Sequence, residues 1–273
     1  MRVLFAGTPA VAVPALDALL SSDHDVVGVL TRPPAPHGRK RVMTPSPVHE
    51  RALEAGLPVI TSNKPHADET VGELRSLGAD VAAVVAYGAL LREPALSLLE
   101  HGWVNLHFSL LPAWRGAAPV QHALMAGDEI TGASTFRIEA GLDTGPVYGS
   151  MTESIRPIDT AGTLLDRLST SAAPLLVGTL DAIADGSAQP VPQSVEGVCM
   201  APQLTSADAE IDWRLPGHVI DRRIRGLTPA PGAWSTHETA RFKIGPVVPT
   251  MVRMYLAPGA VRVGSDGVLV GTG

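Results

Sequence analysis

The densest chemistry in this chain lies in one short run, Asn105-Leu106-His107-Phe108-Ser109-Leu110-Leu111-Pro112, followed at once by Trp114, Arg115 and Gly116. Only 4% of the 273 residues are aromatic and 9 are histidine, so the concentration is not a by-product of composition. On an extended strand, residues two apart project to one face. The Asn105 amide and the His107 imidazole are therefore expected side by side, with Ser109 just past the strand's end. A strand buried on both faces ordinarily carries apolar side chains, and a polar pair there has a desolvation cost unless it is hydrogen-bonded or used. Further along, residues 141–145 read Gly-Leu-Asp-Thr-Gly, which puts the Asp143 carboxylate in a turn between glycines. Such an aspartate most often bonds its own backbone. Facing His107, it can instead orient the imidazole or take up a released proton. The trio then offers an amide donor for a developing oxyanion, a group that cycles protons near neutral pH, and a charge that raises its basicity.

What accompanies the trio narrows the reaction. Ser109 lacks the G-x-S-x-G elbow of an activated serine, Cys199 is distant in sequence, and the histidines show no zinc spacing, so no metal is expected. Without a nucleophile from the protein, the set suits direct attack of a substrate amine on an acyl carbon. Gly7, in Gly-Thr-Pro-Ala-Val-Ala, matches neither the dinucleotide fingerprint nor the P-loop, so neither ligand class is expected.

These side chains need a scaffold, and the apolar runs supply one. "RVLFA", "VVGVLT", "PVIT", "VAAVVA" and "WVNLH" alternate with longer amphipathic stretches through the first 145 residues. That is the pattern of βαβ units in a mostly parallel, Rossmann-like α/β sheet, whose ligands sit beyond the carboxyl ends of the strands. A helix is expected over about 11–20. "GASTFRI" and "PVYGSMTESI" are two further strands, and a helical stretch over 160–185 breaks near Pro174. The proline- and glycine-rich segment after 188 reads as a linker. The expected organisation is a catalytic domain over 1–188, a linker over 189–205, and a smaller C-terminal domain over 206–273. In that last domain, short turn-punctuated strands suggest a small barrel or sandwich, of which an OB-like β-barrel is the expected form. Its pattern stops at "VLVGTG", so the barrel is expected to be incomplete.

The lone cysteine gives no disulfide framework, and the chain has neither an apolar run long enough to span a bilayer nor the start of a signal peptide. A cytoplasmic protein with no membrane partner is expected, and a monomer. The net charge of −6 opposes general nucleic-acid binding. Its distribution matters more than the sum: 13 basic side chains face 20 acidic ones before Gln189, and 8 face 7 from there on. Within the acidic part, Arg32, Arg39, Lys40 and Arg41 form a local basic run among prolines, which reads as a solvated loop or as a polyanion contact.

The combination of "NLHFSLLP", "WRGAAP" and "GLDTG", with "VLFAGTP" at the start, "PSPV" at 45–48, "VVAYG" at 84–88 and "IDW" at 211–213, resembles the folate-dependent formyltransferases. Within them it is most similar to the branch that acts on methionyl initiator tRNA. The resemblance runs through nearly the whole chain and implies a donor, 10-formyltetrahydrofolate, and an acceptor, the α-amine of methionine esterified to initiator tRNA. It places Asn105, His107 and Asp143 at the catalytic positions, and implies that Asn105 and protonated His107 stabilise the oxyanion while Asp143 helps remove the ammonium proton. It places Ser109, Leu110, Leu111 and Pro112, with the Ala86-Tyr87-Gly88 turn, at the folate. Arg39, Lys40 and Arg41 become candidate tRNA contacts, joined by Arg222, Arg223 and Arg225 from the C-terminal part. Where the family usually shows "GRGKK", this chain has "HGRKR". Trp114 and Arg115 either shape a methionyl pocket or pack the loop. Two other readings compete: an N-formyltransferase acting on a small amine such as an amino sugar, and a noncatalytic RNA-binding module built on the same sheet.

Overall fold

The computed structural model describes residues 1–38, 40–250, 255–265 and 267–273. Five strands form the parallel part of one sheet: β1 (Arg2–Gly7), β2 (Asp25–Thr31), β5 (Val59–Thr61), β6 (Val81–Val85) and β7 (Trp103–His107). Two more, β8 (Ile130–Arg137) and β9 (Val147–Ser154), extend it antiparallel, and the spatial order is β5-β2-β1-β6-β7-β8-β9. Each of the seven apolar runs named above supplies one strand.

Period two along β1 sorts its side chains between two cores. Val3 and Phe5 enter a cluster with Leu16 of α1 (Val13–Leu20), Val48 of α2 (Pro47–Glu54) and Leu164 and Leu176 of α5 (Ala161–Ser171) and α6 (Ala173–Ala184). Leu4 and Ala6 enter the opposite one, with Val71 and Leu74 of α3 (Asp68–Ser76), Tyr87 and Trp103. Both faces of the parallel strands are thereby covered, which is why they read as unbroken apolar runs. The stretch after the first strand begins with a 3-10 turn at Ala10–Ala12 before α1. The expected break near Pro174 separates α5 from α6. Proline is tolerated in a helix's first turn, where its missing N–H is not needed, and is costly in the interior.

The basic stretch after β2 is not a featureless loop. β3 (Ala35–His37) pairs antiparallel with β4 (Val42–Thr44) in a two-stranded ribbon whose tip carries Lys40 and Arg41, both exposed. Arg39 lies outside the described residues.

Past residue 202 a third core gathers Ala209, Ile211, Ile220, Ile224, Leu227 and Ala233 around α7 (Gly217–Gly226). α7 packs on α4 (Pro119–Ala126) of the front domain. The expected smaller domain of antiparallel strands is present. Its strands form two separate hairpins among the described residues, β10 (Trp234–His237) with β11 (Ala240–Lys243) and β12 (Val261–Gly264) with β13 (Gly267–Val270), without hydrogen bonds joining them into a ring. Exposed pairs such as Val261 and Val263 on β12 leave one hairpin without a packed face. No helix among the described residues is long and apolar enough to cross a membrane.

Candidate active site

β7 sits between β6 and β8, and its carboxyl end delivers the polar pair. His107 is buried, while Asn105 is half-buried and its amide makes no hydrogen bond among the described residues. Both line a cavity of about 550 Å³ whose wall is completed by the Ala86–Leu91 turn after β6, by Gly116 and Ala117, and by residues 138–143 after β8. That volume is in the usual range for small-molecule sites. Its walls combine Val84, Leu91, Phe108, Ile138 and Leu142 with the polar trio, the mixture expected for a flat, partly apolar ligand carrying one reacting group.

The His107 ring is held from both sides. Its Nε2–H donates to the Trp114 carbonyl at 2.9 Å, and its Nδ1 lies 3.8 Å from Asp143 Oδ2. With Nε2 carrying the proton, Nδ1 of the neutral ring is a lone pair on the Asp143 side. Burial pushes the imidazole below the ordinary histidine range, and the Asp143 charge and the Trp114 carbonyl act in the opposite direction. The resting ring is therefore neutral at physiological pH. Asp143 is itself fixed by the Gly116 N–H, which donates to Oδ2 at 2.7 Å.

Backbone conformation concentrates at this site. Of the non-glycine residues with left-handed φ among those described, Ala86 (48°), Trp114 (60°) and Asp143 (51°) all belong to the three loops that meet here. Side chains pay about 1–3 kcal/mol for such conformations, and they persist where surrounding contacts over-determine them. Two glycines permit the approach: a Cβ on Gly145 would fall onto the Arg137 carbonyl, and one on Gly116 would come within 2.6 Å of the Ala201 carbonyl.

The shift on His107 has a stability consequence. An imidazole whose folded-state value lies below its unfolded value of about 6.5 takes up protons more readily in the unfolded chain. Its contribution is intact above pH 6.5 and is lost as pH falls through the folded value. His107→Gln should flatten the acid-side fall in stability, read as urea midpoints at pH 7 and pH 5. A parallel fall in both proteins would assign the loss to other groups.

The sequence-derived candidates separate into those the structure brings together and those it does not. Asn105, His107 and Asp143 converge, and Ala86, Tyr87 and Gly88 line the same cavity. The Tyr87 hydroxyl donates to the Ser62 carbonyl at 2.7 Å, and burial pushes the phenol up to about 12. Ser109, Leu110, Leu111 and Pro112 are not part of the cavity wall. Ser109 is fully buried and donates to the Ala113 carbonyl at 2.6 Å, while the Leu111 N–H donates to Ser134 Oγ at 3.2 Å, tying this segment down on β8. Trp114 packs the loop: its indole N–H donates to Asp128 at 2.8 Å and its ring stacks on His122.

On α7 the three arginines differ. Arg225 is bound to Asp221 at 2.9 Å and to the Asp159 carbonyl, with its side chain only 12% exposed, and Arg223 donates to the Asp208 carbonyl. Arg222 lies across Gly127, at the edge of a second cleft of about 670 Å³ that contains none of the trio.

One contribution was not visible in the sequence. The segment expected as a linker is docked along the site. Val191 exchanges two hydrogen bonds of 2.8 Å with Val147. Ala201 N–H donates to the Arg115 carbonyl at 2.7 Å, and the Arg115 and Trp114 N–H groups donate to the Cys199 carbonyl and thiol at 3.0 and 3.2 Å. The Gln193 side chain bridges Arg115 to the Asp143 turn. A proline- and glycine-rich stretch has no periodicity to announce such docking, because its partners are backbone groups of other loops.

Comparison with known proteins agrees with this geometry. A family model described as formyl transferase matches residues 1–180, and one described as formyl transferase, C-terminal domain, matches residues 203–273. A methionyl-tRNA formyltransferase of Streptomyces coelicolor is 58% identical over 274 aligned residues, covering 100% of this chain and 88% of the relative. One of Mycobacterium sp. (strain KMS) is 58% identical at the same coverages. Among solved structures, an N-formyltransferase of Helicobacter canadensis in complex with folinic acid and dTDP-3-aminofucose has a TM-score of 0.73 at 15% identity, covering 100% of this chain and 96% of that one. A methionyl-tRNA formyltransferase of Clostridium thermocellum gives 0.66 at 14%, covering 99% and 96%. At those identities the structural likeness speaks for the fold. With both family regions matched and relatives aligned along its full length, the chain belongs to the formyl transferase family.

Proposed function

We propose that this protein transfers the formyl group of 10-formyltetrahydrofolate to the α-amine of methionine esterified to initiator tRNA, in support of translation initiation. The observation that carries the reading is the convergence of Asn105, His107 and Asp143 on one cavity, with no serine or cysteine among its described lining residues. The donor supplies the electrophilic formyl carbon. The half-buried Asn105 amide, without a hydrogen-bond partner among the described residues, donates to the oxygen that gains charge as the amine attacks. Because burial keeps His107 neutral, its Nδ1 accepts the proton that the attacking nitrogen releases. Asp143 stabilises the resulting imidazolium, which returns the proton to the departing folate nitrogen. The new bond joins the amine nitrogen to the formyl carbon, and the bond from that carbon to the folate nitrogen breaks. His107 thus begins as proton acceptor rather than as the protonated donor expected from the sequence, and the reason is its burial. The apolar wall formed by Leu91, Ile138 and Leu142, with the Ala86–Gly88 backbone, is the seat assigned to the pterin, a planar ring with polar edges.

The polyanionic acceptor is assigned to Lys40 and Arg41 on the exposed ribbon tip, with Arg39 from the same basic run of the sequence, and to Arg222. Arg223 and Arg225 are already engaged by the fold. High identity to relatives named for methionyl-tRNA favours this acceptor over an amino sugar, for which the likeness is only of fold.

The test is formyl transfer to methionine-charged initiator tRNA beside charged elongator tRNA and free methionine. Transfer confined to the initiator is expected. Replacing Arg39, Lys40 and Arg41 by alanine should flatten the log–log salt slope of tRNA binding by about 2 to 3, the share of about three phosphate contacts. Transfer to a free amino sugar but to none of these acceptors would overturn the reading.

A further inference from the structure

Gln193 lies in the stretch between the two matched family regions, on the strap docked over the site. Its Nε2 donates to the carbonyls of Asp143 and Gly145, both at 2.8 Å, and its Oε1 accepts from Arg115 Nε and Nη2 at 3.0 and 2.7 Å. Both amide donors and both oxygen lone pairs are used, the whole capacity of the side chain. The pattern also fixes the amide's orientation, since carbonyls on one side demand donors and a guanidinium on the other demands an acceptor.

The two things it joins are the two loops that hold the reacting groups. Arg115 stands between Trp114, whose carbonyl pins His107 Nε2, and Gly116, whose N–H pins Asp143 Oδ2. Asp143 and Gly145 belong to the other loop. At 3.8 Å the Asp143 and His107 side chains are too far apart to hold each other by a hydrogen bond, so their spacing is set by the backbones on either side.

We infer that Gln193 is a positioning residue for formyl transfer, clamping the Gly141–Gly145 turn to the Trp114–Gly116 loop and thereby setting the separation of Asp143 from His107. This rests on the reading of the site as a formyl-transfer centre. A glutamate at 193 would keep the contact to Arg115 and turn an acceptor against the two carbonyls. An asparagine is one methylene short of spanning both loops, and alanine leaves both loops unclamped.

The test compares Gln193→Ala, Gln193→Glu and Gln193→Asn with the full wild-type chain, using kcat, KM for the formyl donor, thermal unfolding, and NMR titration of His107 in isotope-labelled protein. A misplacement of about 1 Å costs on the order of 100-fold, so kcat should fall by about 10- to 100-fold in the alanine and glutamate variants, with KM for the donor within about threefold. The His107 titration midpoint should move down, because the Asp143 charge that raises it is no longer held near. A merely structural role would lower the unfolding temperature and leave kcat per folded molecule and the midpoint where they were. Either a folded variant lacking the clamp with kcat within twofold of wild type, or an unmoved midpoint in the charge-neutral Gln193→Ala, overturns the inference. If the wild type itself transfers no formyl group, the functional reading fails, and the His107 midpoint still decides whether Gln193 sets the geometry.

Discussion

Replacing His107 by alanine, or Asp143 by asparagine, should lower the turnover of formyl transfer by about 10²- to 10⁴-fold, the range for loss of a positioned acid–base group. The two substitutions act on one device and should not add. His107→Ala removes the imidazole on the cavity wall, and Asp143→Asn removes the charge that stabilises its protonated form 3.8 Å away. In the double variant the fall should be close to that of the worse single one, as for groups that work as a unit. Affinity for tRNA should stay near the wild-type value, since the exposed ribbon and Arg222 lie on other elements. Steady-state rates beside filter-binding constants make the comparison. Near-normal turnover in both single variants would remove the proposed proton path, and multiplicative losses in the double variant would mean that the two side chains serve separate steps.

Asn105→Ala should cost about 10²- to 10³-fold in kcat, the usual effect of deleting one preorganised donor to a developing oxyanion. The argument rests on what the Asn105 amide does not do. It is half-buried on β7, lines the cavity, and has no hydrogen-bond partner among the described residues, which leaves it open to a ligand. A structural asparagine would be bonded to its neighbours, and its loss would appear first in stability. The expected signature is therefore a large fall in kcat with an unfolding temperature close to wild type and KM for the donor little changed. Asn105→Asp sharpens the test, because a carboxylate of similar shape cannot donate and would repel the charge forming on the formyl oxygen. A variant that loses stability and keeps its kcat would return Asn105 to a packing role.

Much of the scaffold is legible because local patterns and the fold point the same way. The seven strands occur where short apolar or alternating runs occur, and the helix break sits at Pro174 because an interior proline forfeits a hydrogen bond. The pairing of Asn105 with His107 follows from the two-residue period of a strand. Other candidates are not sorted by the sequence for a common reason: a motif marks a segment, and says little about which side of that segment meets the ligand. Ser109 to Pro112, read as a folate border, are tied to β8 through Ser109, Leu111 and Ser134. Arg222, Arg223 and Arg225 look equivalent along the chain, yet two of them are taken by Asp208, Asp221 and Asp159.

The sequence by itself determined the mostly parallel sheet and the adjacency of Asn105 and His107 on β7, because strand periodicity and side-chain chemistry are carried within a few neighbouring residues. Only the tertiary structure decided that His107 is buried, that part of the 189–205 segment is docked along the cavity, and that Gln193 joins the Trp114–Gly116 loop to the Asp143 turn. Burial and hydrogen bonds between residues 48 to 78 positions apart are products of the packed chain, and no local pattern encodes them.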